Sequence, residues 1–181
     1  MKFSVLLAVA GVCSAYSGHK KTDYEGAFGR MHQSFRKLEA GVKSWTGEIK
    51  VIRGTWDSYF PVAHRVVGEF KRFEKLEEAD FEYITPAFER AVGSAQRTLE
   101  AYKLKKSIVE KKKLCHEFHL KAKEHFEHEH QFSEAFFSKI PSRLHKKVVT
   151  VRERFDKVVT ELVDVYSPKN CHDRGTAGYH G

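Results

Sequence analysis

With 181 residues the chain has room for one domain with a substantial core, and two are not expected at this length. Four prolines, twelve glycines, 41% hydrophobic and 31% charged residues suit long amphipathic helices and argue against disorder except at the ends. The formal charge of +8 and the pI near 9.3 favour acidic partners such as lipid headgroups, nucleic acid or polyanionic glycans, without choosing among them.

The first stretch carries Lys2 as its only charge, then an apolar run from Phe3 to Val12, then the small residues Cys13 and Ala15. This is the pattern of a secretory signal peptide over residues 1–15, with cleavage near Ala15, and it places the mature protein in the secretory pathway or outside the cell. The run falls short of the ~20 apolar residues that a spanning helix needs. An uncleaved apolar helix at a membrane is the alternative. Cleavage would leave Cys115 and Cys171, which can pair as one disulfide or remain two thiols.

From Phe28 onward the apolar residues Met31, Phe35, Leu38, Val42, Trp45, Ile49, Ile52 and Trp56 follow in steps of three and four, a heptad seam of helical period. Gly54 and Pro61 predict a kink or short break between Arg53 and Pro61. A second helix continues through Val67, Phe70 and Phe73 and loses its rhythm around Glu77, Glu78 and Asp80. Thr85-Pro86 then reads as an N-cap followed by proline in the first helical turn. Beyond it the seam runs through Phe88, Val92, Ala95, Leu99, Tyr102, Val109, Cys115, Phe118, Ala122, Phe126, Phe132, Phe136 and Ile140 without a proline until Pro141. A single helix over this span would reach roughly 80 Å. The alternatives are an elongated molecule or a reversal near Lys111 to His116, where no glycine or proline marks a turn. A last helix starts at Ser142, carries Leu144, Val148, Val151, Phe155, Val158, Leu162 and Val165 on its seam, and ends by Pro168. Residues 167–181 lack a seam and read as a flexible tail.

Seams this long must be covered, and heptads imply shallow crossing angles. The expected fold is all-α: an elongated antiparallel bundle or coiled coil of three to five long helices over residues 22–166, as a dimer or a monomer.

The order of features in this span resembles a BAR domain of the Bin/amphiphysin/Rvs type, in abbreviated form. Ile84-Thr85-Pro86 stands where that family's second helix opens, and Lys111-Lys112-Lys113 with Glu117-Phe118 stand in the place of its basic cluster and acidic-aromatic pair. Ala122-Lys123, Phe126-Glu127, Glu134, Ile140-Pro141 and Leu144 follow the order of its third helix. The resemblance implies a homodimeric scaffold whose basic residues meet an anionic phospholipid membrane surface. The candidates are Lys103, Lys105, Lys106, Lys111, Lys112, Lys113, Lys121, Lys123, Arg143, Lys146, Lys147, Arg152 and Arg154. Each would contribute about 1 kcal/mol near the surface, in a salt-dependent way. Such a scaffold would be cytoplasmic and peripheral to the membrane, in contrast to the secretory reading. The alternative function is a secreted bundle that binds a protein or lipid partner.

Eleven histidines, with His116, His119, His125, His128 and His130 beside Cys115, raise the question of metal. Only one Glu-x-x-His unit occurs in this stretch, Glu127 with His130, and a helical di-metal site needs two on different helices. Solvent-facing histidines are the expected state, with no metal and no cofactor. No phosphate loop, nucleophile elbow or His-Glu-x-x-His pair is present, so a non-enzymatic role is expected. The basic stretches lack the interleaved aromatics of single-strand readers, and no nucleic-acid partner is expected.

Overall fold

The computed structural model describes the backbone of residues 4–174 and the side chains of residues 23–174. The described residues form five α-helices: α1 (Ser4–Ser44), α2 (Ile49–Arg72), α3 (Glu78–Lys111), α4 (Cys115–Phe137) and α5 (His145–Val165). A single 3-10 turn, Ser142–Leu144, leads into α5. The side chains of the signal-like segment and residues 175–181 of the tail lie outside the described residues. Among the described residues, no helix is long and apolar enough to cross a membrane.

The heptad seams close on one another within one chain. Helix α1 packs on α2 and α3, α3 on α5, α5 on α4, and α4 back on α2, so the five helices form a closed ring around a shared core. Helices α3 and α4, though consecutive, touch little along their lengths, because they stand across the core from each other. With 34 residues, α3 spans about 50 Å, which makes the bundle elongated.

Two boundaries depart from the sequence expectation, and a third decides between its two alternatives. The first seam breaks at Trp45–Glu48, ahead of Gly54, and α2 runs through Pro61. Gly47, at φ +116°, provides the reversal, a backbone conformation open to glycine and strained for other residues. Trp45, Ile52 and Trp56 are all buried, so the seam continues in rhythm across a turn that it does not itself record. Pro86 lies inside α3, whose N-cap is Glu77, so Thr85 is not the cap; its hydroxyl instead donates to the carbonyl of Phe81, 2.9 Å away. The long span from Pro86 to Ile140 is two helices. The chain reverses at Lys112–Leu114, with Lys113 at φ +59°, a turn made without glycine.

Residues 167–174, expected as the start of the flexible tail, are instead tied to the bundle. Cys171 is buried and joined to Cys115 in a disulfide. The Asp173 carboxylate accepts from the Cys115 backbone N–H at 3.0 Å, capping the start of α4, and the Arg174 N–H donates to the Glu110 carbonyl at 3.1 Å. Short polar segments without a seam can still be held by backbone and covalent ties.

The core has two aromatic nests. One end of the bundle gathers Tyr24, Phe28, Phe70, Phe88, Phe132, Phe136 and Phe155, with ring centroids 4.9–6.3 Å apart among contacting pairs. The other gathers Trp45, Trp56, Tyr102, Phe118 and Tyr166, where the Trp56 indole N–H donates to the Tyr102 hydroxyl at 2.8 Å and Tyr166 donates to the Tyr102 carbonyl at 2.7 Å. Between the nests the core turns polar.

Candidate functional site

Helix α4 places its inward residues in steps of three and four from Phe118 through Ala122, His125, Glu129, Phe132 and Phe136, and all six are buried. His125 and Glu129 therefore occupy core positions of the heptad. Phe126, expected on the seam, is 36% exposed, and His125 is not solvent-facing but only 3% exposed. The correct register was present in the spacing. The steps from Ala122 to Phe126 to Phe132 are four and six, whereas passing through His125 and Glu129 restores the heptad. Assigning apolar residues to the core hid it.

These two side chains, with Thr98 of α3, line a small cavity of about 20 Å³, whose remaining walls are Phe35 and Leu38 of α1, Ala95 and Leu99 of α3, and Val158, Val159 and Leu162 of α5. Tyr59 of α2 donates its hydroxyl proton to Glu129 Oε1 and holds its ring, tilted by 37°, 4.7 Å from that of His125. Thr98 turns its proton to backbone carbonyls, Ser94 at 3.0 Å or Phe35 at 3.2 Å. Glu129 Oε2, His125 Nε2 and the hydroxyl of the neighbouring Ser133 have no hydrogen-bond partner among the described residues. Each such group costs about 1–3 kcal/mol when buried, and an ionised carboxylate would cost more. Burial accordingly pushes the Glu129 carboxyl up to about 8, against a smaller downward pull from Tyr59. Burial likewise holds His125 down to about 3, assisted by the neighbouring His128 and Lys121. At neutral pH the cavity wall is polar but uncharged, with a carboxylic acid as hydrogen-bond donor and a neutral imidazole beside it.

Outside this cavity, α3 and α5 splay to leave an open groove of about 730 Å³. Its apolar lining is Leu99, Ala101, Leu104 and Val158, and Lys43, Arg97, Arg154 and Lys157 border it with Glu100 and Glu161. Leu104 is 74% exposed, an uncovered apolar side chain on an otherwise charged surface. Lys43 and Arg97 both pair with Glu39, at 2.5 and 3.4 Å, and Glu161 pairs with Lys103 at 2.6 Å. Leu99 and Val158 belong to both the groove and the inner cavity, so a single layer of side chains separates them. The volume lies within the ~300–1,000 Å³ of small-molecule sites, and the stretch from Gly93 to Leu104 gives it a length of about 17 Å.

The basic residues singled out in the sequence are distributed over the whole molecule. Lys111, Lys112 and Lys113 are exposed at the α3–α4 turn. Arg143, Lys146 and Lys147 are exposed at the opposite end of α3, where Arg143 and Lys147 pair with Glu78 at 3.3 and 3.9 Å. Several others are engaged in structure. Lys103 bridges Glu100 and Glu161, Lys105 donates to the Trp45 carbonyl at 2.8 Å, and Lys106 pairs with Glu110 at 3.8 Å. Lys121 pairs with Glu124 and lies over the Phe60 ring, and Arg152 pairs with Glu134 and lies over the Phe137 ring. Lys123 is exposed on α4, and Arg154 alone of the set lines the groove. Among the described residues, no group of three or more histidine, cysteine or acidic side chains is placed to hold a metal ion.

No protein-family model matches the chain, and no curated protein matches it. Its fold does match solved structures. Ligand binding domain 2 of the Penicillium marneffei MP1 protein, solved with multiple arachidonic acids, superposes with a TM-score of 0.76 at 9% identity, over 81% of this chain and 96% of that one. Ligand binding domain 1 of the same protein, solved with arachidonic acids, gives a TM-score of 0.76 at 11% identity, over 82% and 99%. Afmp4p in complex with palmitic acid gives 0.73 at 13% identity, over 81% and 99%. At these identities the similarity establishes a shared fold: the described residues of this chain form a five-helix bundle built like those domains.

Proposed function

We propose that this protein binds a single-chain amphiphilic lipid of the fatty-acid class, without catalysis, and that the acyl chain lies along the apolar lining of the α3–α5 groove. The observation that carries the reading is the groove itself, an apolar lining bordered by Arg154 and Lys157, which have no ion pair among the described residues, on a bundle whose fold neighbours were solved with fatty acids. An acyl chain there covers Leu104 and shares the groove with cations that draw in an acidic head. The seams close within one chain, so the reading needs no second copy, and the BAR-like homodimer remains the alternative that sedimentation velocity tests. The exposed lysines at 111–113 support a peripheral encounter with an anionic membrane from which the ligand is collected. Cosedimentation with anionic vesicles that weakens with salt is the expected sign of it. The Cys115–Cys171 disulfide supports action in an oxidising compartment, in line with the signal-like start.

Displacement of a fluorescent fatty acid by dodecanoate tests the lipid reading. Leu104→Glu adds a charge to the groove lining at an exposed position where the fold loses little. It should weaken binding about tenfold or more, the equivalent of losing most of one leucine's apolar burial. Equal affinity of the wild-type protein and Leu104→Glu would place the chain elsewhere.

A further inference from the structure

Glu129, His125 and Ser133 impose a cost that a bundle of this kind does not need. Apolar side chains at the same three positions would fill the core and leave no orphaned polar atom. The cavity that Glu129 and His125 line is too small for an acyl chain. At about 20 Å³ it is on the scale of a single water and fits only the polar end of a ligand. It is divided from the groove only by Leu99 and Val158. The bordering cations, being exposed, steer an anion well and anchor it poorly. Donors in the dry interior act at low dielectric, where each hydrogen bond counts for more.

We propose that the inner cavity seats the ligand's carboxyl group, which shares one proton with Glu129 Oε2 and accepts a second hydrogen bond from His125, while the acyl chain passes between Leu99 and Val158 into the groove. This rests on the lipid reading above and adds where the head group goes and what controls it. The ligand arrives as a carboxylate and Glu129 as a neutral acid, so the complex holds one proton between two carboxyl groups. No covalent bond is made or broken. Once Glu129 ionises, two negative charges would meet in the core and the ligand is expelled.

The groups around Glu129 leave it the one that changes charge in mildly alkaline solution. From α2, Tyr59 faces it, with its own ionisation pushed well above the usual range by burial and by Glu129. From α3, Tyr102 faces the His125 ring and is also shifted upward by burial. On α4, His125 is held neutral, and Lys121 and His128 stand beyond it, with His64 of α2 next to His128. The cavity walls from α1 and α5 are the apolar Phe35, Leu38, Val158, Val159 and Leu162.

The test is the affinity for dodecanoate and for dodecanol, below their aggregation concentrations, at pH 7.5 and 9.5. Both values lie above the ordinary histidine range and far above that of a free fatty acid. Dodecanoate should bind roughly 25-fold more weakly at pH 9.5, the loss of one bound proton from a group near 8. Dodecanol, whose hydroxyl can donate to an ionised Glu129, should show no such fall. In Glu129→Gln, whose amide N–H donates without titrating, the pH slope for dodecanoate should vanish, with urea unfolding used to confirm a folded variant. A pH-independent dodecanoate affinity in the wild-type protein, or the same slope in Glu129→Gln, overturns the proposal while leaving the lipid reading intact. In that case the double charge reversal Arg154→Glu with Lys157→Glu should abolish binding. No binding of either probe at either pH overturns both readings.

Discussion

Replacing Glu129 by glutamine tests the buried carboxyl through folding alone, without any ligand. In the unfolded chain this carboxyl ionises near its ordinary 4.5, whereas in the folded protein burial keeps it protonated up to about 8. Between those values unfolding releases a proton, so stability is greatest below about 4.5 and declines as pH rises through 8. His125 acts in the opposite sense. It is neutral in the fold down to about 3 and takes up a proton on unfolding below 6.5, so its contribution is present above 6.5 and is lost as pH falls. The two trends oppose each other between about 4.5 and 6.5, and above 6.5 only Glu129 remains. One pH unit of a one-proton difference is worth about 1.4 kcal/mol, so the wild-type protein should lose about 2 kcal/mol from pH 6.5 to 8 that Glu129→Gln does not lose. Glutamine keeps an oxygen for the Tyr59 hydroxyl, so the variant removes the titration and retains the hydrogen bond. Urea unfolding of both proteins in half-unit steps of pH reads the difference directly, and other groups cancel in the comparison. Stability curves that run parallel through this window would refute the reasoning, because Glu129 would then be ionised in the fold as it is in the unfolded chain.

Reducing the Cys115–Cys171 bond, or replacing both cysteines by serine, frees a loop of 56 residues and should cost about 4 kcal/mol in thermal or urea unfolding. The same change should raise hydrogen exchange over residues 167–174, which the bond holds to the start of α4. Phe136→Ala removes a ring that contacts Tyr24, Phe28, Phe70, Phe88 and Phe137, and should destabilise by about 3–5 kcal/mol. Gly41 of α1 faces Thr55 of α2, and a Cβ there would come within 2.5 Å of the Thr55 methyl group. Gly41→Ala should therefore destabilise by about 1–3 kcal/mol, and pairing it with Thr55→Ala should restore part of the loss in a double-mutant cycle.

The helical class was legible because heptad spacing is a property of the chain itself. Val92, Ala95, Leu99 and Tyr102 on α3, and Val148, Val151, Phe155, Val158 and Leu162 on α5, all face the core that their spacing implies. The turns were less legible. Gly47 stood among residues whose rhythm happened to continue across it, and the Lys112–Leu114 reversal uses a lysine at positive φ, which composition does not announce. Pro61 and Pro86 appeared as boundaries, but each sits within a helix held by packing on both sides. The inner site was hidden by chemistry. A histidine and a glutamate at core positions look like surface residues unless the register is followed through them, and only the closing of α1, α3 and α5 over α4 reveals that they face a shared cavity. The basic residues were plain in the sequence. Their distribution, with 111–113 at one end of α3 and Arg143, Lys146 and Lys147 near the other, depends on a ring order that no local pattern encodes.

The proposed lipid site puts an acyl chain in the groove between α3 and α5. Paramagnetic broadening of backbone amide signals by a fatty acid carrying a spin label near its methyl end measures this directly. Broadening should concentrate on residues 93–104 of α3 and 154–161 of α5 and be reversed by excess dodecanoate. Broadening centred instead on the α1–α2 surface around Gln33, Lys37 and Val62, or no saturable broadening at all, would contradict it.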